Sequence, residues 1–345
     1  MVDTIMLPNP VPAVPTDAGI FCHSGPAAAP GAASVGPVAS HRHLLGIEGM
    51  SAVAIRELLE SARHWRTRWS LSREPLSVLA GVEVCNAFFE DSTRTRLSFE
   101  LAERRLGATP LTFRVLGSSV SKGESLLDTL RTIAAMGVDI VVMRHRSAGA
   151  AAFAAREIGA SIVNAGDGAH EHPTQGLLDL LTLADAWGGE FAGRRVAILG
   201  DIAHSRVARS TIAALTALGA RVTVAGPATL LPHGVESLGC DVAPSAEDAL
   251  RGADAAMALR LQTERMEQGL LPSTGEFTRH WGIDAARVAL LAPRAVVMHP
   301  GPMNRGVEIA PDVADGERSA VLRQVGNGVA VRAAVLAWCA GREAA

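Results

Sequence analysis

With 345 residues, 48% of them hydrophobic and 19% charged, the chain has enough apolar material for one large core or two ordinary ones, and its length favours two. A formal net charge of −3 excludes a broad electrostatic footprint for nucleic acid, and no apolar run reaches the ~18–20 residues that cross a bilayer. The amino-terminal residues lack a basic stretch followed by an apolar one, so no secretion is indicated and the predicted address is the cytoplasm.

Residues 1–40 are rich in Pro, Ala, Gly and Ser without helix or strand period, which predicts a mobile tail; it is either dispensable or an assembly element. A first helix begins near Gly49 or Ser51 and runs through AVAIRELLESARHW, with Ile55, Leu58, Leu59 and Ala62 on one face. Short apolar runs then alternate with helical patterns: VEVCNAFF, STRTRLSFELAERRLG, TPLTFRVL, SLLDTLRTIAAMG, VDIVVMR, AAAFAAREIG and ASIVNAG. Four β-type runs separated by helices predict a mostly parallel sheet covered on both faces, closing a first domain over residues 41–180.

HPTQGLLDLLTLADAWG has leucines on most sides, so it reads as a helix buried all round between two domains. A second α/β series over residues 181–315 comprises RRVAILGD, SRVARSTIAALTALG, RVTVAG, a run around Val235 to Val242, DAAMALR and RAVVMHPGP. Residues 316–345 form a last long helical segment expected to pack back toward the first domain. Gly326 and Gly328 inside it predict either a break or close helix packing. The fold class is therefore α/β, with two open, mostly parallel sheets joined by interdomain helices.

Chemistry concentrates at strand ends, where open α/β sheets bind ligands. In FFEDSTRTRLSFE an apolar strand stops at Phe89, and Ser92 or Thr93 can cap a helix carrying Arg94 and Arg96. Arginines in a first turn oppose the helix dipole, so a bound anion explains them better than solvent does; hydroxyls of Ser92, Thr93 and Thr95 would complete a phosphate cradle. Arg144 ends VDIVVMR and either meets a ligand or pairs with a carboxylate. His172 and Gln175 open the apolar helix, where a histidine either polarises a carbonyl or bonds the backbone. Lys122, in SVSKGES, is the only lysine among 32 Lys and Arg residues, a compact ammonium where every other basic side chain is a wide fork.

In the second series, RRVAILGDIAHSRVARS lacks a GxGxxG run and the next strand ends in VTVAGP, which argues against a dinucleotide site. Arg206 starts a helix and suits a carboxylate. Arg260 and Gln262, two apart after an apolar strand, point to one side when extended. Pro300, Gly301 and Pro302 in MHPGPMNRG make a stiff turn that offers main-chain groups to a ligand. Cys22, Cys85, Cys240 and Cys339 are far apart and form no CxxC pair, so neither a metal nor another cofactor is predicted.

Together STRTR, VVMRH, HPTQ, the Arg260-to-Gln262 spacing and HPGPMNRG resemble the aspartate and ornithine carbamoyltransferase family, over residues His43 to Trp338, and in detail its aspartate branch. The ornithine branch instead resembles HCLP and HPCQ at the corresponding places. The resemblance implies transfer of a carbamoyl group from carbamoyl phosphate to L-aspartate, early in de novo pyrimidine synthesis. It gives carbamoyl phosphate contacts to Ser92, Thr93, Arg94, Thr95, Arg144, His172, Gln175, Gly301 and Pro302, aspartate contacts to Lys122, Arg206, Arg260 and Gln262, and catalytic roles to Arg94, Thr95, Arg144 and His172. It also implies a loop lent by a neighbouring subunit, with Lys122 catalytic and Ser118, or in another register Ser119, beside it. A homotrimer follows, alone or joined by regulatory chains or a dihydroorotase-like protein. Asp91 departs from the family's usual Pro or Ala before STRTR. The alternatives are a carbamoyltransferase with a different acceptor and a noncatalytic phosphate-binding protein.

Overall fold

The computed structural model describes residues 42–72, 74–114, 123–262 and 270–342, all within one compact unit spanning His41–Ala345. The predicted tail, Ser118, Ser119 and Lys122 lie outside the described residues.

In the first half, helix α1 (Ala52–Leu71) starts where the Ser51 hydroxyl accepts from the Ala54 N–H. It runs two turns beyond the apolar face read from sequence, because Trp65 and Trp69 continue the buried stripe of Ile55, Leu58, Leu59 and Ala62. Strand β1 (Glu83–Phe88), α2 (Thr93–Leu106), β2 (Thr109–Arg114), α3 (Leu126–Ala135), β3 (Ile140–His145), α4 (Ala150–Glu157) and β4 (Ser161–Asp167) follow. The four strands are all parallel, in the order β2-β1-β3-β4. Helix α2 stops at Gly107, whose left-handed φ of 83° ends the helix and whose missing Cβ admits the Leu76 carbonyl.

Helix α5 (Pro173–Trp187) leads to the second half, and thirteen of its fifteen residues are buried. A Cβ on Gly176 would meet the Ser210 carbonyl at 3.0 Å, so the glycine lets α5 cross close to α6 (Arg206–Ala217). Strands β5 (Arg195–Leu199), β6 (Arg221–Ala225), β7 (Cys240–Val242), β8 (Ala255–Ala258) and β9 (Val296–Met298) make a second parallel sheet, ordered β7-β6-β5-β8-β9. The run around Val235 to Val242 is only partly strand: Val235–Leu238 is a 3-10 turn between two left-handed glycines, and β7 begins at Cys240. Short helices α7 (Ala246–Leu250), α8 (Thr274–Trp281) and α9 (Ala285–Val288) connect these strands, and α10 (Pro311–Ala314) follows β9.

Helix α11 (Val321–Cys339) is unbroken and packs on α1, α2 and α5. Of the two outcomes open for its glycines, Gly328 realises close packing, since a Cβ there would meet Leu178 at 3.3 Å and the Arg332 guanidinium at 2.5 Å. One apolar cluster includes Val84, Ile140 and Val163 of the first sheet, Leu177, Leu180 and Leu181 of α5, and Val196, Ile198 and Met298 of the second. The two sheets therefore share a core through α5. Among the described residues, no helix is long and apolar enough to cross a membrane.

Candidate active site

Each sheet has a point where strand order reverses, between β1 and β3 in the first and between β5 and β8 in the second. At such points the loops leaving neighbouring strands diverge and open a crevice. The segment 89–95 leaves β1 and Arg144 lies at the end of β3; Arg206 follows β5, and Arg260 and Gln262 follow β8. These crevices merge in a single cleft of about 570 Å³.

Ser92, Thr93, Arg94, Thr95, Arg144, His172, Gln175, Arg206, Arg260, Gln262, Gly301 and Pro302 all line it. Ser92 is the N-cap of α2, but its hydroxyl caps nothing, which leaves it and the first-turn N–H groups available to a ligand. Asp91 is exposed at the cleft wall and does not cap the helix. Gly301 backs onto Arg94 so closely that a Cβ would collide with the guanidinium; the Gly301–Pro302 peptide is cis. Alternation after β8 is visible directly: Arg260 and Gln262 face the cleft while Leu261, between them, is buried beside Leu230 and Phe277.

Cations dominate the electrostatics. His172 is buried, and its proton affinity falls well below the ordinary imidazole range, first through burial and then through the charges of Arg144, Arg332, Arg206 and Arg94. Its ring is therefore neutral near pH 7, with Nδ1 buried and unbonded and the backbone N–H held by the Ser210 hydroxyl at 2.8 Å. Arg94 is likewise lowered, by burial and by its neighbour Arg260. Like charges gathered in a concave, partly dry site are costly unless an anion joins them.

Glu90, Arg332, His299 and Gln324 are among the lining residues that escaped the sequence reading. Glu90 accepts from Arg206 at 2.6 and 3.1 Å and from Arg144 at 3.1 Å, tying the β1 loop of one half to α6 of the other. Arg144 thus both faces the cleft and pairs with a carboxylate. Arg332, on α11, is 4% exposed, makes no ion pair among the described residues, and stacks over Phe99 with 5.2 Å to the ring centroid. Burial, then the charges of Arg144 and Arg94, push this guanidinium down to about 9. The backbone N–H of His299 donates to Gln324 Oε1 at 2.9 Å, and His299 Nδ1 accepts from the Gly301 N–H at 2.8 Å. A carboxylate directly after an apolar strand and before an arginine-rich helix start was the available signal for Glu90. Arg332 and Gln324 are an eight-residue, two-turn pair on one face of a helix, a spacing shared by ordinary surface polar residues.

A two-lobed α/β enzyme whose cleft gathers arginines around a neutral histidine is the class that this fold and site define. Residues 42–185 match the aspartate/ornithine carbamoyltransferase carbamoyl-P binding domain, and residues 192–339 match the Asp/Orn binding domain of the same family. The chain belongs to the aspartate/ornithine carbamoyltransferase family. It is 54% identical to an aspartate carbamoyltransferase catalytic subunit of Myxococcus xanthus, over 86% of this chain and 99% of the relative. The corresponding figures for the catalytic subunit of Methylorubrum extorquens are 54%, 88% and 96%. Aspartate transcarbamoylase from Trypanosoma cruzi, solved with carbamoyl aspartate and phosphate, superposes with a TM-score of 0.77 at 32% identity, covering 86% of this chain and 95% of that one. Ornithine carbamoyltransferase from Pyrococcus furiosus gives the same TM-score at 27% identity, covering 86% and 96%.

Proposed function

We propose that the chain is the catalytic subunit of an aspartate carbamoyltransferase, making N-carbamoyl-L-aspartate and phosphate from carbamoyl phosphate and L-aspartate in pyrimidine synthesis. The observation that carries this reading is the convergence of Arg94, Arg144, Arg206, Arg260 and Arg332 on one cleft with a neutral His172.

Phosphate binds at the α2 amino terminus, held by Ser92, Thr93, Arg94 and Thr95, where helix N–H groups and a guanidinium face the same anion. Arg144, His172 and Gln175 take the carbamoyl group, and Gly301 and Pro302 close its other side through main-chain groups. A neutral imidazole can donate one N–H to the carbonyl oxygen without adding charge to an already cationic pocket. Arg206, Arg260 and Gln262 hold L-aspartate; two guanidinium forks suit two carboxylates, whereas an ornithine side chain would bring an ammonium among arginines.

The neutral amine of aspartate attacks the carbamoyl carbon, and charge builds on the former carbonyl oxygen. Thr95, Arg144 and His172 stabilise that charge. Collapse expels phosphate, which carries away the amine proton. Binding residues come from both halves, so closure of the cleft supplies proximity and removes water.

Lys122, with Ser118, reaches the active site of a neighbouring subunit in this proposal, and the working unit is a homotrimer, alone or with regulatory or dihydroorotase-like chains. Leu97 and Leu101, one helical turn apart on α2, are 54% and 40% exposed, an apolar face that supports burial against another subunit. The proposal takes the cytoplasm as its setting, which fractionation of cells producing the tagged chain checks.

Carbamoyl aspartate production by the purified chain, with mass measured in solution, tests the whole proposal. Turnover with aspartate but not with ornithine is expected. Purified, assembled protein that binds neither carbamoyl phosphate nor N-phosphonacetyl-L-aspartate overturns it.

A further inference from the structure

Behind the cleft a buried carboxylate joins three helices, α5, α6 and α11. Asp179, on α5 and wholly buried, accepts through Oδ1 from Gln175 Nε2 at 2.9 Å and from Gln324 Nε2 at 2.8 Å, and through Oδ2 from the Thr211 hydroxyl at 3.0 Å. Gln324 Oε1 in turn accepts from the His299 N–H at 2.9 Å, and the His299 ring contacts Glu308 at 3.0 Å. Every amide in this relay is therefore oriented: nitrogen toward Asp179, oxygen away. For Gln175 the consequence is specific. One of its two N–H donors is held by Asp179, which fixes the amide with its acceptor Oε1 turned away from that carboxylate, beside the cleft that Gln175 lines.

We propose that Asp179 is a specificity-determining positioning residue, which locks the Gln175 amide so that an acyl donor bearing N–H groups is selected over one bearing a methyl group. The inference rests on the carbamoyl-transfer reading above. A carbamoyl group presents –NH2 to Gln175 Oε1; an acetyl group of the same shape presents carbons and leaves that oxygen desolvated and unpaired. Without Asp179 the Gln175 amide rotates freely, and its preference for a hydrogen-bond donor is lost. Asn at position 179 can keep its oxygen toward the two amide nitrogens and donate its own NH2 to Thr211, so it retains the lock.

The probe is the ratio of kcat/KM for carbamoyl phosphate to that for acetyl phosphate, each with saturating L-aspartate. With acetyl phosphate the amine forms a C–N bond to the acetyl carbon, the acyl C–O bond to phosphate breaks, and phosphate leaves with the amine proton, giving N-acetyl-aspartate. Asp179→Ala should lower the ratio roughly 10- to 100-fold, about what one unpaired polar contact is worth, while Asp179→Asn keeps it. Gln175→Leu should lower it equally, and adding Asp179→Ala to that variant should lower it no further. A merely structural role would reduce turnover of both donors and leave the ratio alone. A parental ratio in Asp179→Ala overturns the inference; if that variant does not fold, a parental ratio in Gln175→Leu does so independently. No carbamoyl aspartate from the unmodified chain would sink the carbamoyl-transfer reading itself, a failure distinct from an unmoved ratio in an active enzyme.

Discussion

Glu90 and Arg332 show at the scale of single residues how charge is managed in an arginine-crowded cleft. Glu90 neutralises part of the field and braces Arg206 with two hydrogen bonds, so its role is positional. Glu90→Gln removes the charge and one of those bonds. It should raise KM for aspartate roughly 10-fold or more while leaving phosphate binding within a few-fold, as initial rates and calorimetry would reveal. Equal losses for both ligands would refute a brace specific to the aspartate side. Among the described residues no carboxylate pairs with Arg332, and the charge of Asp179 offsets its burial only in small part, so the proposed carbamoyl phosphate site would give it a compensating anion. Arg332→Met keeps much of the apolar stem against Phe99 and should weaken carbamoyl phosphate by about 10- to 100-fold with unchanged or improved thermal stability. Unaltered affinity would show that the buried charge serves something else. Sequence motifs exposed Arg94, Arg144, His172 and Arg206 because each stands at a strand end or helix start, where polar residues interrupt apolar runs. Arg332 and Asp179 lie inside helices, and only packing brings Arg332 to the cleft and Asp179 behind it.

At the scale of elements, long helices and buried strands announce themselves through period, whereas short ones depend on caps. Helices α7 and α8 are too short to show an apolar stripe, yet Ser245 accepts from the Asp248 N–H and Ser273 from the Glu276 N–H, three-residue spacings that were readable signals. Sheet order was not readable, since parallel strands of similar composition carry no label for their neighbours. Helix α11 illustrates how one residue type has opposite meanings. A methyl group on Gly326 would have nothing within 4 Å, so Gly326→Ala should stabilise the chain by about 0.5–1 kcal/mol in chemical denaturation. Gly328→Ala must displace Arg332 or Leu178, and should weaken carbamoyl phosphate binding as well as stability. Stabilisation by both substitutions would contradict the close packing of α5 and α11. Between β1 and α2, burial raises the Glu103 carboxyl to about 8 despite its bonds from Asn86 at 2.9 and 3.0 Å. The folded state thus holds a proton that the unfolded chain releases above its ordinary 4.5, so this group's contribution to stability declines as pH rises from about 4.5 to 8. Glu103→Gln removes that decline. Its melting temperature relative to the parent should be at least ~2 °C higher at pH 8.5 than at pH 5; the same difference at both values would assign Glu103 an ionised state throughout.

For the whole molecule, two lobes sharing α5 and a core explain why residues distant in sequence meet, while the residue that composition singled out first lies outside the described residues. Lys122 is the chain's only lysine and stands in a Ser-Lys-Gly-Glu run between β2 and α3. If neighbouring subunits lend that run to one another, each active site takes Arg94 from one chain and Lys122 from the next around a ring, an arrangement that only a heterologous, closed interface provides. Arg94→Ala and Lys122→Ala chains should each form inactive homo-oligomers. When the two are denatured together and reassembled in equal amounts, roughly a quarter of sites receive both intact residues, because half of the sites have an intact Arg94 and half of their neighbours an intact Lys122. Activity should therefore return to about one quarter of the parental value, with the parental KM for both substrates at the restored sites. Sites contained within single chains would instead stay silent in every hybrid, and verified mixing without recovered turnover would confine each active site to its own subunit.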